Sequence, residues 1–125
     1  MRLNPDCVRD ILLSIEKTTS YHTSWRYTGE TISGLEKYTD EEVFYHLRQC
    51  DEAGMLLEPY WATRAFQTKD ISPKGHEFLA NIRDDSVWNK VKETSKKISA
   101  YSLKALVSIS GNVISNLISG YFGPG

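Results

Sequence analysis

Three side chains in this chain have the types and spacing of metal ligands. His46 and Cys50 stand four residues apart, so on a helix they share a face, and Cys7 offers a third donor of the same kind. A structural zinc site asks for four ligands, and no Cys-x-x-Cys pair or fourth ligand is specified here. Both cysteines also fall within or beside apolar stripes, where a free thiol packs as a small hydrophobe. The expectation is no metal and no cofactor. His22 and His76 have no evident partner set. Neither a Gly-x-Ser-x-Gly elbow nor a phosphate-binding Walker loop occurs. Paired carboxylates do acid–base work only in a pocket, which no motif here implies. The chain is therefore read as non-enzymatic.

The other chemistry on offer is recognition of nucleic acid. Tyr45, Arg48 and Gln49 would project outward from a helix over residues 39–53. Arg64 and Lys69, with Lys74 just beyond, would sit on and after a hairpin. Cations so placed bind duplexes by releasing counterions from phosphate. Tyr45, Arg48, Arg64, Lys69 and Lys74 are the candidate contacts to double-stranded DNA. Tyr60, Trp61 and Phe66 have the chemistry of a stacking platform, but aromatics on a hairpin also serve as cross-strand pairs covering a core, which is the expectation here. Charge opposes the DNA reading. From Glu36 to Glu58 seven acids (Glu36, Asp40, Glu41, Glu42, Asp51, Glu52, Glu58) face two bases (Lys37, Arg48), a local charge of −5. Three of those acids lie at the leading end of the helix, the end that a recognition helix inserts into the major groove. The simpler reading of that end is a capped helix with an acidic solvent face, and the alternative function is a protein-interaction module that has lost DNA contact.

The elements that would position these residues follow from caps and periodicity. Asn4, Pro5 and Asp6 open a helix whose stripe is Val8, Ile11, Leu12 and Ile15, fading near Lys17. Residues 18–38 are less regular, with a short strand or two around Trp25 and Tyr27 and a weak helical turn at 33–38. Thr39 and Glu42 form a capping box for a helix that turns Val43, Phe44, Leu47 and Cys50 inward and ends at Gly54. Residues 55–61 are expected to pair antiparallel with 66–71 around a turn at 62–64. Ser72 and Pro73 restart helix, with Phe78, Leu79 and Ile82 on its apolar face. From Val87 the pattern is helical to about Phe122, with Gly123, Pro124 and Gly125 as terminator.

This order of elements suits a winged helix, in which a small helical bundle carries a recognition helix and a hairpin forms the wing. The segment from Glu41 to Glu58 resembles the recognition helix and first wing strand of bacterial winged-helix regulators. Ile71-Ser72-Pro73-Lys74-Gly75-His76-Glu77-Phe78-Leu79 resembles the step that leaves the wing for the next helix. A closer resemblance rests on three blocks: Leu3-Asn4-Pro5-Asp6-Cys7-Val8-Arg9-Asp10-Ile11-Leu12, then Tyr45-His46-Leu47-Arg48-Gln49-Cys50, then Ser72 to Arg83 running on to Val87-Trp88-Asn89-Lys90. As a set they resemble domain-of-unknown-function family 2513 of bacteria, phages and mobile elements. The family has no established activity, so the resemblance implies a winged-helix-like α+β fold and a bacterial or phage setting, and DNA binding or regulation only by analogy of fold.

Composition adds bounds rather than chemistry. The 125 residues carry 15 basic and 16 acidic side chains, a net charge of −1, which excludes a uniformly basic nucleic-acid binder. Two cysteines make no disulfide framework and no leader-like stretch precedes the first helical pattern, so the cytoplasm is the expected compartment. A winged-helix-like domain over 1–83 and a helical extension over 84–125 are expected. The extension is unusual in carrying no charged residue from Ala105 to Gly125. Ser108, Asn112, Ser115 and Ser119 form a narrow polar stripe, and apolar residues fill the other side. Such a helix can pack back on its own domain, self-associate or meet a membrane, and the last makes a membrane-active effector acting through this helix a further alternative function. Its Ser, Asn and Gly content suits close helix contact, so the expectation is a homo-oligomer, most simply a dimer, joined through Leu106, Ile109, Val113 and Leu117.

Overall fold

The computed structural model describes residues 1–123 as an α+β fold, with five helices and two small antiparallel sheets among the described residues. Helix α1 (Pro5–Thr18) starts where Asn4 Oδ1 accepts the Asp6 N–H at 3.0 Å, and it buries Cys7, Val8, Ile11, Leu12 and Ile15 on one stripe. Helix α2 (Asp40–Glu52) has the expected capping box, with the Glu42 N–H donating to Thr39 Oγ1 and the Thr39 N–H to Glu42 Oε1. Gly54 closes it with φ of 74°, a left-handed conformation that suits glycine. The inward face of α2 is Val43, His46, Leu47 and Cys50. Phe44, expected inside, is only half-buried, and His46 takes the inner position. Three residues on from Val43, His46 sits on the same helix face, whereas Phe44 lies at the edge of that arc.

The hairpin pairs antiparallel as expected but is broken in the middle. Leu56–Leu57 (β2) pairs with Asp70–Ile71 (β5), and Tyr60–Ala62 (β3) pairs with Ala65–Thr68 (β4). The break falls at Glu58, whose φ is 48°, and Pro59, which has no N–H to give to a ladder. Opposite it, Thr68 Oγ1 donates to the Leu57 carbonyl at 2.8 Å and the Lys69 N–H reaches the same oxygen at 3.0 Å. These bonds hold the register across the kink. Arg64, with φ of 55°, completes the two-residue turn at the tip. Strand β1 (Trp25–Tyr27) joins β4 on its free edge, giving the order β1-β4-β3. The weak helix expected at 33–38 does not form. Two consecutive turns, closed by Leu35 N–H to Ile32 and Tyr38 N–H to Leu35, fill that stretch and bury Leu35.

Helix α3 (Pro73–Ile82) is capped by Ser72, whose hydroxyl accepts the Gly75 N–H and donates to the Gly54 carbonyl at 2.6 Å. The single long helix expected from Val87 is in fact two. Helix α4 (Asp85–Lys97) ends where Ser99 turns left-handed with φ of 53°, and Ser95 donates its hydroxyl to the Ala100 carbonyl. Ser102 then caps helix α5 (Leu103–Phe122) by accepting the Ala105 N–H. Helices α4 and α5 pack on each other and α5 also packs on α3, so Trp88, Val91, Leu103, Leu106 and Ile109 belong to one buried cluster with α1, α2 and the strands.

The first and third sequence blocks meet in space. Asp6 accepts from Trp88 Nε1 and Lys92 Nζ, both at 2.9 Å. Burial would push this carboxyl up, but those two donors hold it below its ordinary range. Arg9 donates to the carbonyls of Ile82 (3.0 Å) and Arg83 (2.6 Å) and to Asp85 (2.9 Å). It thereby occupies the unpaired C-terminal carbonyls of α3.

Candidate functional site

The largest open concavity that gathers candidate residues lies between α2 and the tip of the β3–β4 hairpin. It has a volume near 460 Å³ and is lined by Phe44, Tyr45, Arg48, Trp61, Arg64 and the two alanines that pair at the tip, Ala62 and Ala65. Trp61 forms its floor. Its ring packs on buried Phe66 with centroids 4.5 Å apart, and its Nε1–H donates to Asp51 Oδ2 at 2.8 Å. The Arg48 guanidinium lies over the outer face of Trp61, 4.2 Å from the centroid. That stacking orients the guanidinium without using its N–H donors, which stay available to a ligand. Arg48 and Arg64 are both exposed, and neither pairs with a carboxylate among the described residues.

Of the five residues proposed from sequence as DNA contacts, the structure brings together Tyr45, Arg48 and Arg64. Lys69 is elsewhere on the hairpin, 3.5 Å from Glu58 across the broken ladder, an exposed pair of small energetic weight. Lys74, in the first turn of α3, lines a separate groove with Glu52, Met55, Lys104 and Val107. The residues that sequence reasoning left out are Trp61 as the floor under Arg48, and Arg26. Arg26, exposed on β1, lines a smaller recess with Tyr60 and Gln67 on the same three-stranded sheet. Trp61 was expected as a cross-strand core partner, and it does face Phe66 in the ladder. Its other face carries Arg48.

The acids at the start of α2 have structural work. Tyr27 donates its hydroxyl to Asp40 at 2.7 Å, and Glu42 completes the capping box. Burial and the Asp40 carboxylate together push the Tyr27 phenol well above its ordinary range. These bonds account for the acids being there but leave their charge in place, and Glu41 beside them is exposed.

The donors weighed as metal ligands are inside the core. His46 Nε2 accepts the Asn4 N–H at 2.8 Å, and Nδ1 lies 2.6 Å from the Glu42 carbonyl. Both ring nitrogens are occupied, which fixes the neutral tautomer with the proton on Nδ1. Cys7 and Cys50 are fully buried, and burial pushes both thiols up to about 12. Their role is packing.

The four interface residues proposed on α5 do not share one environment. Leu106 and Ile109 are buried inside the chain's own core and are not available to a partner. Val113 is half-buried, and Leu117 is 54% exposed. The sequence stripe is continuous, but the domain covers only its first half.

A family model described as a hypothetical protein family, DUF2513, matches residues 2–102. An uncharacterized protein of Haemophilus influenzae is similar to this chain, 29% identical over 123 residues that cover 95% of this chain and 100% of that protein. No solved structure matches the chain.

Proposed function

The chain belongs to the DUF2513 family, and from that premise we propose that it is a non-enzymatic, winged-helix-like binding module whose ligand is double-stranded DNA. The observation that carries this reading is the groove between α2 and the hairpin tip, where Tyr45, Arg48 and Arg64 converge around Trp61. The strand order β1-β4-β3, with α2 leading directly into the hairpin, supports the winged-helix reading. In that arrangement α2 is the reading helix and the β3–β4 turn is the wing. Arg64 at the tip meets phosphate, and Arg48, seated over Trp61, has the planar fork that matches a phosphate or a guanine edge. Lys69 and Lys74 have no part in this contact.

The test is fluorescence anisotropy with a labelled duplex of mixed sequence, titrated at several salt concentrations. Arg48→Glu with Arg64→Glu should abolish binding, whereas Lys69→Glu should leave it within about twofold. Removing one arginine that neutralises a phosphate should flatten the log–log salt dependence by about 0.9. The exposed acidic turn of α2 favours a second reading, a cationic protein segment as partner. Absence of any duplex binding at low salt and micromolar protein would remove DNA and leave that reading in force.

A further inference from the structure

The end of α5 projects past everything it could pack on. Its buried residues are Leu103, Leu106, Ile109 and Ser110, all in the first half. Beyond them Leu117 is 54% exposed, Ile118 52%, Tyr121 84% and Phe122 76%. Beside this end, α4 and α5 enclose a groove of about 350 Å³ lined by Ser86, Val87, Lys90, Val113, Asn116 and Leu117. One chain thus carries a projecting apolar helix end and, next to it, an apolar groove. Contiguous exposed apolar surface of this kind marks a contact site.

A lipid bilayer is the wrong occupant on grounds of length. Leu103–Phe122 would suffice for a span by length and composition alone. Its first half, however, is core, and withdrawing it would unfold the domain. Residues 114–122 are what is left, nine residues or about 14 Å of helix against about 30 Å of hydrocarbon. Lying in the bilayer surface asks for Lys or Arg on the polar face of the helix, and α5 offers Ser115, Asn116 and Ser119 there.

A second copy fits. We propose that two copies of this chain pair antiparallel through the ends of their α5 helices, about a two-fold axis at Leu117. An antiparallel pair centred there sets Tyr121 of the second copy opposite Val113, since each stands four residues from the axis. The tyrosine ring then enters the groove at Val87 and Val113 beside Lys90, whose ammonium is a suitable partner for an aromatic face. The operation applies to both copies, so both grooves fill. No charge lies on α5 beyond Lys104, so nothing on the paired segments repels. Leu117, Ile118 and Tyr121 present roughly 400 Å² toward the axis, about half of the ~800 Å² per partner of a standard interface, and Val87, Val113 and Ile114 extend it.

Light scattering coupled to size exclusion, on the full chain at tens of micromolar, should give twice the monomer mass. Leu117→Lys should give a monomer with an unchanged circular dichroism spectrum, and its dissociation constant should rise at least about 100-fold. Leu117→Cys should cross-link under mild oxidation, because two residues on the axis face each other within disulfide reach. Ser115→Cys, about 200° round the helix, should not. The native thiols are buried and do not compete. A monomeric wild-type chain overturns the proposal, whether or not it floats with vesicles of mixed zwitterionic and anionic phospholipid. So does a dimer that survives Leu117→Lys, or cross-linking of Ser115→Cys as efficient as that of Leu117→Cys.

Discussion

Replacing His46 by glutamine should flatten the dependence of stability on pH below about 6.5, the ordinary histidine value. In the folded chain the imidazole gives its Nδ1 proton to the Glu42 carbonyl and takes the Asn4 N–H on Nε2. A second proton could go only to Nε2, where it would turn an acceptor into a donor facing a donor. Burial disfavours the imidazolium further, and outweighs the opposing pull of the Glu42 carbonyl and carboxylate, so the folded group titrates below its ordinary value. The unfolded chain therefore takes up this proton first as pH falls. Stability from this site is whole above about 6.5 and is lost below it, by up to about 1.4 kcal/mol per pH unit, until the folded group also titrates. Asp6 and Glu16, both held low in the fold, lose their contributions only in the more acidic carboxylate range. At neutral pH His46→Gln should cost about 1–3 kcal/mol, because one amide group cannot both accept the Asn4 N–H and donate to the Glu42 carbonyl as the two ring nitrogens do. Urea unfolding at steps of pH from 8 down to about 5 measures both effects. Subtracting variant from wild type cancels His22 and His76. The gap between the two proteins should close on acidification. Parallel curves, or a gap that widens, would refute this account of His46.

Three further substitutions test the packing. Gly75→Ala, in the first turn of α3, would put a methyl group 2.4 Å from the Met55 carbonyl oxygen and 2.6 Å from Ile71 Cγ2; it should cost about 2–3 kcal/mol although alanine is the better helix former. Gly111→Ala in α5 meets open space and should instead stabilise by about 0.5–1 kcal/mol, so thermal unfolding of the pair separates the clash from helix propensity. Leu47→Ala, at a fully buried position of α2, should cost about 2–5 kcal/mol by urea unfolding, and a loss under about 1 would contradict its burial.

What could be read from the sequence was what local chemistry decides. Asn4-Pro5, Thr39 with Glu42, Ser72-Pro73 and Gly54 are signals contained within one turn of chain, and each helix start or stop they imply is where the structure has it. The antiparallel pairing of the hairpin was legible from the apolar runs on either side of a turn, but the turn reads as 62–64, whereas Ala62 pairs with Ala65 and only Thr63 and Arg64 form it. The hairpin's break at Glu58-Pro59 was not expected: the strand reads straight through 55–61, and neither the missing Pro59 N–H nor the positive φ of Glu58 registers as a stop. The break between α4 and α5 was missed because Ile98, Ser99 and Ala100 are all tolerable in a helix. What ends α4 is Ser95 bonding forward to Ala100 and Ser102 capping anew. The role of His46 was hidden, since nothing near it in sequence reveals that its acceptor nitrogen serves a backbone N–H 42 residues earlier. At the groove, residue type pointed to Tyr45, Arg48 and Arg64, and the fold brings those three together. Lys69 and Lys74 were added by nearness along the chain, and the fold turns them to other surfaces.

The case of α5 shows why periodicity alone misplaced two of its four proposed contacts. A stripe at helical spacing states which side of a helix avoids water, not what covers that side. Here the stripe runs unbroken from Leu103 through Leu106, Ile109, Val113 and Leu117 to Tyr121, and no residue type changes at the point where the covering changes. The covering helix is α4, which runs back along α5 so that Val87 in its first turn lies beside Val113 and Leu117. Helix α4 has 13 residues and α5 has 20. Seven residues of mismatch leave about 10 Å of α5 beyond the start of α4, with Leu117 at the edge of that overhang and Ile118, Tyr121 and Phe122 within it. The length of α4 is set by Asp84, which caps it by accepting from the Ser86 and Val87 N–H groups, and by the Ser95 to Ser102 break. Both limits are local features of α4, and neither leaves a mark in the sequence of α5. The apolar stripe outlasts its partner helix because a different element sets each length, and the surplus is what a second copy can cover.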